Sequence, residues 1–417
     1  MYNLRLLRMG VVMAIALVAM AACGSSSTAS KVGAPIVVGN LLELSGPFAA
    51  NGKQLEDGWN LGLHDFGSSV DGHKIDTIFE DEQGDPTVAL SDARQLVGQD
   101  HAALLEGPVI ASASAVVDAW AGPLGVPIDD IGPCSITTVQ TYQKYHNGYG
   151  SAWNCDQPAS IMAQWAYDQG YRHIATIGMD YSFGWQTVGT FDAAFTKLGG
   201  TIIQGLWAPI TTADWSPYIT QISNKADAVF ALVAGAESVS FTDTYGQLGM
   251  AKKIPLIGDT TLFDQSVLQS ENPSYVVGQK MAAQYCDGIN TPVNKTFVRE
   301  VHNAYGDYPG YYTDAGYIKA ERLVDALKKL HGVVKSGQSL IKALKSVSLQ
   351  APTGLVKLSP VTSSPIQNIY ICQVTQAKDG SLHNTPIKVF KDVQPWGILS
   401  QSQWLSVFSH DSTARPA

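Results

Sequence analysis

Charge is scarce in this chain. Only 15% of its 417 residues are Asp, Glu, Lys or Arg, and the formal net charge is −9. No long basic run occurs outside the extreme N-terminus, which argues against a nucleic-acid partner. Long apolar runs are also missing. Residues 11–20 are apolar but too few to span a bilayer. No Cys-x-x-Cys occurs, so a zinc or thioredoxin-like site is not expected. The nine His are scattered without metal-ligand spacing. The Gly-x-Ser-x-Gly, His-Glu-x-x-His and phosphate-loop motifs are absent. The expectation is a protein with no catalytic set, no cofactor and no metal.

What is present begins with a targeting signal. Arg5 and Arg8 form a charged start, and residues 11–20 form the apolar h-region. Met20-Ala-Ala-Cys23-Gly24 follows and resembles a bacterial lipobox, with Met20 where Leu is usual. Cys23 is then the lipidated mature N-terminus, and the Ser-rich residues 24–34 form a flexible tether. The implied location is extracytoplasmic and anchored to the cell membrane. The alternative is plain secretion with cleavage nearby. Four cysteines remain: Cys134, Cys155, Cys286 and Cys372. An even number in an exported chain suggests two disulfides among three connectivities, the alternative being four buried thiols.

Beyond the tether, strands and helices alternate, the signature of parallel α/β layers. Strands are expected at 35–42, 75–79, 102–105 and 126–131, and Asp85-Pro86 reads as a helix cap. Residues 135–155 break the rhythm and are expected to cross to a second lobe. The rhythm resumes with strands at 173–179, 202–207, 228–233 and 255–258. Asp180 to Gly184 reads as a turn. Residues 276–283 form a strand leading back, 294–347 are helical, and late strands lie at 368–374 and 386–390.

Gly107-Pro-Val-Ile-Ala-Ser-Ala-Ser114 is the candidate centre. It follows an apolar strand and precedes a helix for which Ser112 or Ser114 is the expected N-cap. Free amides at a helix start attract an anion, and small side chains admit a ligand to the backbone. In open α/β sheets ligands sit at such strand ends. The alternative is an ordinary β–α connection.

The order of these pieces resembles the leucine/isoleucine/valine-binding protein family, the type I periplasmic solute-binding proteins of ABC importers. The resemblance spans residues 35–395. It rests on Leu44-Ser-Gly-Pro47, Phe79-Glu-Asp-Glu-Gln-Gly-Asp-Pro86, residues 107–114, Asp180-Tyr-Ser-Phe-Gly184, Gln247-Leu-Gly249 and Ile257-Gly258. It implies two doubly wound, Rossmann-like α/β lobes joined by three crossing strands and closing on a small ligand. Residues 35–150 with 284–365 would form lobe 1, and 151–283 with 366–405 lobe 2. The implied partners are a small-molecule ligand and a membrane permease; the chain would act as a monomer.

Carried over position by position, the resemblance places the ligand near Ser45, Phe48, Asn51, Ala111, Ser112, Gly132, Phe183, Ala234, Glu237, Asp259 and Thr260. Cys134 stands where many members have a hydroxyl. Asp259 is shifted by one from the acidic position that holds an amino acid's ammonium, and Phe183 lacks a hydroxyl. These departures favour a small carboxylate, aromatic or not, or an amide over a branched-chain amino acid. Phe48, Phe183 and Phe263 would supply an apolar floor, plain core packing being the alternative for Phe183 and Phe263. The crossings also suggest the pairings Cys134–Cys155 and Cys286–Cys372. A ligand sensor on the same fold is the second functional reading.

Overall fold

The computed structural model describes residues 33–131, 134 and 136–409. Cys23, the signal segment and Gly132 lie outside the described residues. The first sheet is built from β1 (Ile36–Leu42), α1 (Ala49–Phe66), β2 (Ser69–Val70), β3 (His73–Asp81), α2 (Pro86–Gly98), β4 (Leu104–Glu106), α3 (Ala111–Leu124), β5 (Ile128–Asp130), α4 (Ile136–Tyr145) and β6 (Gly148–Gly150). Its strand order is β2-β3-β1-β4-β5-β6, parallel except for the short β2. β1 is apolar and buried along nearly its whole length, as a central parallel strand covered on both faces must be.

The second lobe runs through α5 (Asp156–Asp168), β7 (His173–Met179), α6 (Ser182–Lys197), β8 (Thr201–Ala208), α7 (Ser216–Ile219), β9 (Ala228–Leu232), α8 (Ala236–Gln247), β10 (Leu256–Gly258), α9 (Gln265–Leu268), α10 (Pro273–Val276) and β11 (Lys280–Ala283). The chain then returns to lobe 1 as α11 (Pro292–Tyr305), α12 (Tyr311–Lys329) and α13 (Gly337–Lys345). It passes over once more through β12 (Leu349–Ala351) and β13 (Gly354–Leu358) to β14 (Pro365–Gln376), β15 (Leu382–Val393) and α14 (Gln401–Ser409). The second sheet has the order β12-β13-β14-β11-β10-β9-β7-β8, with β15 on β14. Two α/β lobes joined by three passages result.

α12 returns to lie along α1. Gly58 faces the Thr313 carbonyl and Gly316 faces the Leu55 carbonyl, each so close that a β-carbon would collide. The tyrosines fasten the same surface: Tyr305 donates to the Asp57 carbonyl at 3.0 Å and Tyr317 to Asp65 at 2.9 Å. This packing brings the start of α12 to the cleft although it lies some 270 positions after β1 in sequence. Cys134 is bonded to Cys155 with Cα atoms 5.5 Å apart, and Cys286 to Cys372 at 6.3 Å. The first bond links the end of lobe 1's sheet to the start of α5.

Three local expectations are corrected. Residues 135–155 are no irregular crossing: α4 and β6 complete lobe 1, and only residues 151–155 pass between lobes. Val139, Tyr142 and Tyr149 are buried in the core of lobe 1. Asp180 to Gly184 is mostly helix, since α6 starts at Ser182, and Asp180 accepts from the indole of Trp185 at 2.8 Å. Neither Ser112 nor Ser114 caps α3, whose N-cap is Ile110. Glu82 explains this shift. Its carboxyl accepts from the amides of Val109 at 2.7 Å and Ile110 at 3.4 Å, so the loop is tied down before the serines are reached. Ser114 instead donates to Asp130 at 3.1 Å.

Candidate functional site

Between the lobes lies a narrow pocket. Its walls come from seven places in the chain. β1 and the turn after it give Glu43 and Phe48, and the turn into α3 gives Val109, Ile110 and Ala111. The passage after lobe 1 gives Trp153, and the start of α6 gives Tyr181 and Phe183. Ala234 follows β9, and Tyr311 and Tyr312 open α12. Ile131 and Cys134 complete the lining.

Six of these side chains are aromatic, and five of them brace one another. Trp153 meets Phe183 edge-on at 5.2 Å and Tyr311 at 5.6 Å between ring centres. Tyr181 meets Phe183 edge-on at 5.9 Å, and Tyr311 lies 3.9 Å from Tyr312. Such offset and edge-on contacts are the arrangements aromatic quadrupoles prefer, and they hold the rings in fixed orientations. A planar apolar ring is the natural complement of such a slot.

Among the described residues no lysine or arginine lines the pocket. Its polar groups are mostly neutral donors, the Trp153 indole and the Tyr181, Tyr311 and Tyr312 hydroxyls, with one carboxyl, Glu43. The Trp153 indole N–H is buried without a hydrogen-bond partner. Glu43 is buried, and burial, with Asp81 nearby, pushes its carboxyl up to about 8. Burial likewise holds Glu82 and Tyr181 well above their usual ranges.

Among the sequence candidates, Phe48, Ala111, Phe183 and Ala234 come together here. Asn51 is buried one turn into α1, within the electrostatic reach of Tyr312. Ser45 is exposed, and its amide points at Asp81. Ser112 sits in the first turn of α3 outside the lining, where its amide and that of Ala111 have no intrahelical acceptor. Glu237 begins α8 half-buried. Asp259 is fully buried and outside the lining, and Thr260 turns its hydroxyl to the Ala282 carbonyl and Gln284, both at 3.2 Å. Phe263 is buried in lobe 2 away from the pocket.

Glu43, Trp153, Tyr311 and Tyr312 were missed. Glu43 directly precedes the quoted Leu-Ser-Gly-Pro motif, and an acidic residue closing an otherwise apolar strand was its available signal. Tyr311 and Tyr312 had no local signal, because only the return of α12 onto α1 places them.

With this geometry established, comparison with known proteins is direct. A family profile described as periplasmic binding protein matches residues 35–381. A Leu/Ile/Val-binding protein homolog of Brucella melitensis is 25% identical over 393 residues, covering 93% of this chain and 98% of the homolog. A solute-binding protein of an ABC transporter from Rhodopseudomonas palustris, solved with 3,4-dihydroxybenzoic acid, superposes with a TM-score of 0.81 at 27% identity, covering 87% of this chain and 98% of that one. An ABC transporter substrate-binding protein from Sphaerobacter thermophilus gives 0.80 at 29%, with 86% and 98% covered. Among the described residues no helix is long and apolar enough to cross a membrane. In sequence and in fold, the chain belongs to the periplasmic binding protein family of ABC-transporter solute receptors.

Proposed function

We propose that this protein is a lipid-anchored, monomeric receptor that captures a small aromatic carboxylate outside the cytoplasmic membrane and delivers it to a permease. The observation that carries this reading is the slot of six aromatic side chains without, among the described residues, a lysine or arginine. A branched-chain amino acid would leave those rings poorly filled. A flat ring buries apolar area on both faces, worth about 25 cal/mol per Å². The carboxylate would be met by neutral donors, of which the Trp153 indole is unpartnered, and by the free amides at the start of α3. The aromatic acid held by the Rhodopseudomonas relative supports the same class. Residues 35–150 with 284–365 would close on 151–283 with 366–405 about the three passages, and nothing in the cleft calls for turnover of the ligand.

The test is a thermal-shift screen followed by calorimetry, using benzoate, 4-hydroxybenzoate, 3,4-dihydroxybenzoate, leucine, phenylalanine and acetamide. A ring acid should raise the melting temperature most, because a ligand that binds only the folded state stabilises it. Stabilisation by leucine or acetamide alone would overturn the ligand class. Mass spectrometry of membrane-extracted protein should find a lipid on Cys23. An unmodified mature N-terminus beyond that residue would remove the anchor.

A further inference from the structure

Among the described residues Glu43 is the one carboxyl in the pocket wall. It directly follows β1 with 1% of its surface exposed, and neither carboxyl oxygen has a hydrogen-bond partner. Glu82, at the end of the neighbouring strand, is as buried but is answered by the Val109 and Ile110 amides. A buried carboxyl without a partner is costly, and such a group aimed into a binding pocket has its partner supplied by what binds there. The position is also constrained from behind, where a β-carbon on Gly84 would meet the Glu43 carboxyl at 2.5 Å. Gly84 therefore leaves the space that the carboxyl occupies.

We propose that Glu43 is the specificity-determining residue of the cleft and receives a ring hydroxyl of the ligand, so that the ligand is a hydroxylated aromatic carboxylate. This rests on the aromatic-acid reading above and names the member of that class. An aliphatic or unsubstituted aromatic acid would leave Glu43 unanswered. Sites built to hydrogen-bond a hydroxyl reject the analogue that lacks it, because their own buried polar group is then stranded. A hydroxyl suits Glu43 better than an ammonium. With Asp81 and Glu82 close by and no cation in the wall, burial favours the neutral carboxyl. A neutral carboxyl can both donate to and accept from a hydroxyl without creating a buried charge. The neutral form also spares the ligand's carboxylate a like-charge neighbour.

Calorimetry on the mature protein with benzoate, 3-hydroxybenzoate, 4-hydroxybenzoate, 4-methoxybenzoate and phenylalanine tests this. Wild type should bind one hydroxybenzoate at least tenfold more tightly than benzoate, and 4-methoxybenzoate, which cannot donate, should gain no such advantage. Glu43→Leu should abolish the preference while keeping or improving benzoate binding, and Glu43→Gln should retain part of it. Circular dichroism and the melting temperature establish that each variant folds, and the methoxy comparison needs no variant. Equal binding of benzoate and the hydroxybenzoates, a preference that survives Glu43→Leu, or tighter binding of phenylalanine that Glu43→Leu removes would overturn the proposal alone. Failure of every ring acid to bind wild type would overturn the aromatic-acid reading and this proposal with it.

Discussion

Two buried carboxyl clusters, one in each lobe, are answered in different ways. In lobe 1 a cation answers Glu106 and Asp129. The Lys319 ammonium, carried by α12, sits 2.7 Å from Glu106 and 3.3 Å from Asp129 and donates to the Asp129 carbonyl at 2.6 Å, all three side chains being nearly inaccessible. Lobe 2 answers Asp156 with neutral donors: the Thr190 hydroxyl at 2.6 Å, the Trp404 indole at 2.8 Å and the Gln186 amide at 3.0 Å. Burial is the largest influence in both places and raises both carboxyls, Glu106 to about 8 despite Lys319 and Asp156 to about 6. A cation-centred cluster depends on one residue, whereas a set of neutral donors shares the load. Glu43 follows neither pattern, since neither of its carboxyl oxygens has a hydrogen-bond partner.

Removing the cation should break the contrast most sharply. Lys319→Met leaves Glu106 and Asp129 buried without a counter-charge, and losing one partner of a buried pair costs about 3–5 kcal/mol. Urea denaturation should show the midpoint falling with the slope unchanged. The loss should grow as pH rises, because protonating Glu106 relieves the uncompensated charge at lower pH. A loss below about 1 kcal/mol at pH 8 would show that lobe 1 does not depend on its cation.

Asp156→Asn probes the other lobe and should cost less. Asn keeps one oxygen to accept from Thr190, Trp404 or Gln186 but faces the rest with an amide. Loss of a hydrogen bond to a charged acceptor is worth about 1.5–3 kcal/mol. The same denaturation experiment, with both variants at pH 8, ranks the two lobes. If Asp156→Asn proved the more damaging, sharing among neutral donors would be no protection.

Much of this contrast was written in local sequence, and part was not. The alternation of strand and helix announced most strands of both sheets but not β2, β6, β12 or β13, and Asp85-Pro86 announced α2 correctly, with the Asp85 carboxyl taking the Thr87 amide at 2.6 Å. Phe48, Ala111, Phe183 and Ala234 follow strand ends, where the topology of an open sheet must place a cleft. The failures share a cause. Helix boundaries near residue 110 were set by Glu82, a residue from another strand, and Tyr311, Tyr312 and Lys319 reach their places through α12 crossing back onto α1. Pattern within a short window carries no record of such contacts. Residues 135–155 were expected to cross between the lobes, whereas Tyr142 and Tyr149 are buried in lobe 1.

The smallest expected effect isolates Glu43 from both lobes' buried networks. Asp81 and Glu82 face its carboxyl from β3, Tyr181 from the start of α6 and Tyr312 from α12, and no lysine or arginine lines the same pocket. Its carboxyl is raised to about 8, so the neutral form prevails at pH 7 and the ionised form at pH 9. In the free protein, the stability due to a raised carboxyl is complete below the ordinary carboxylate range and is lost as pH climbs through about 8. Affinity for an anionic ligand should follow the same direction, because the ionised Glu43 repels it. If only the neutral form binds, affinity falls about tenfold between pH 7 and pH 9, or about 1.4 kcal/mol. Benzoate is the suitable probe, since its carboxylate stays ionised throughout and it has no hydroxyl to titrate. Calorimetry of wild type should show the fall, and Glu43→Gln, which cannot ionise, should give a flat profile at an affinity near that of wild type at pH 7. A profile equally steep in both proteins would assign the proton to another group in the wall and remove Glu43 from the recognition of the ligand's charge.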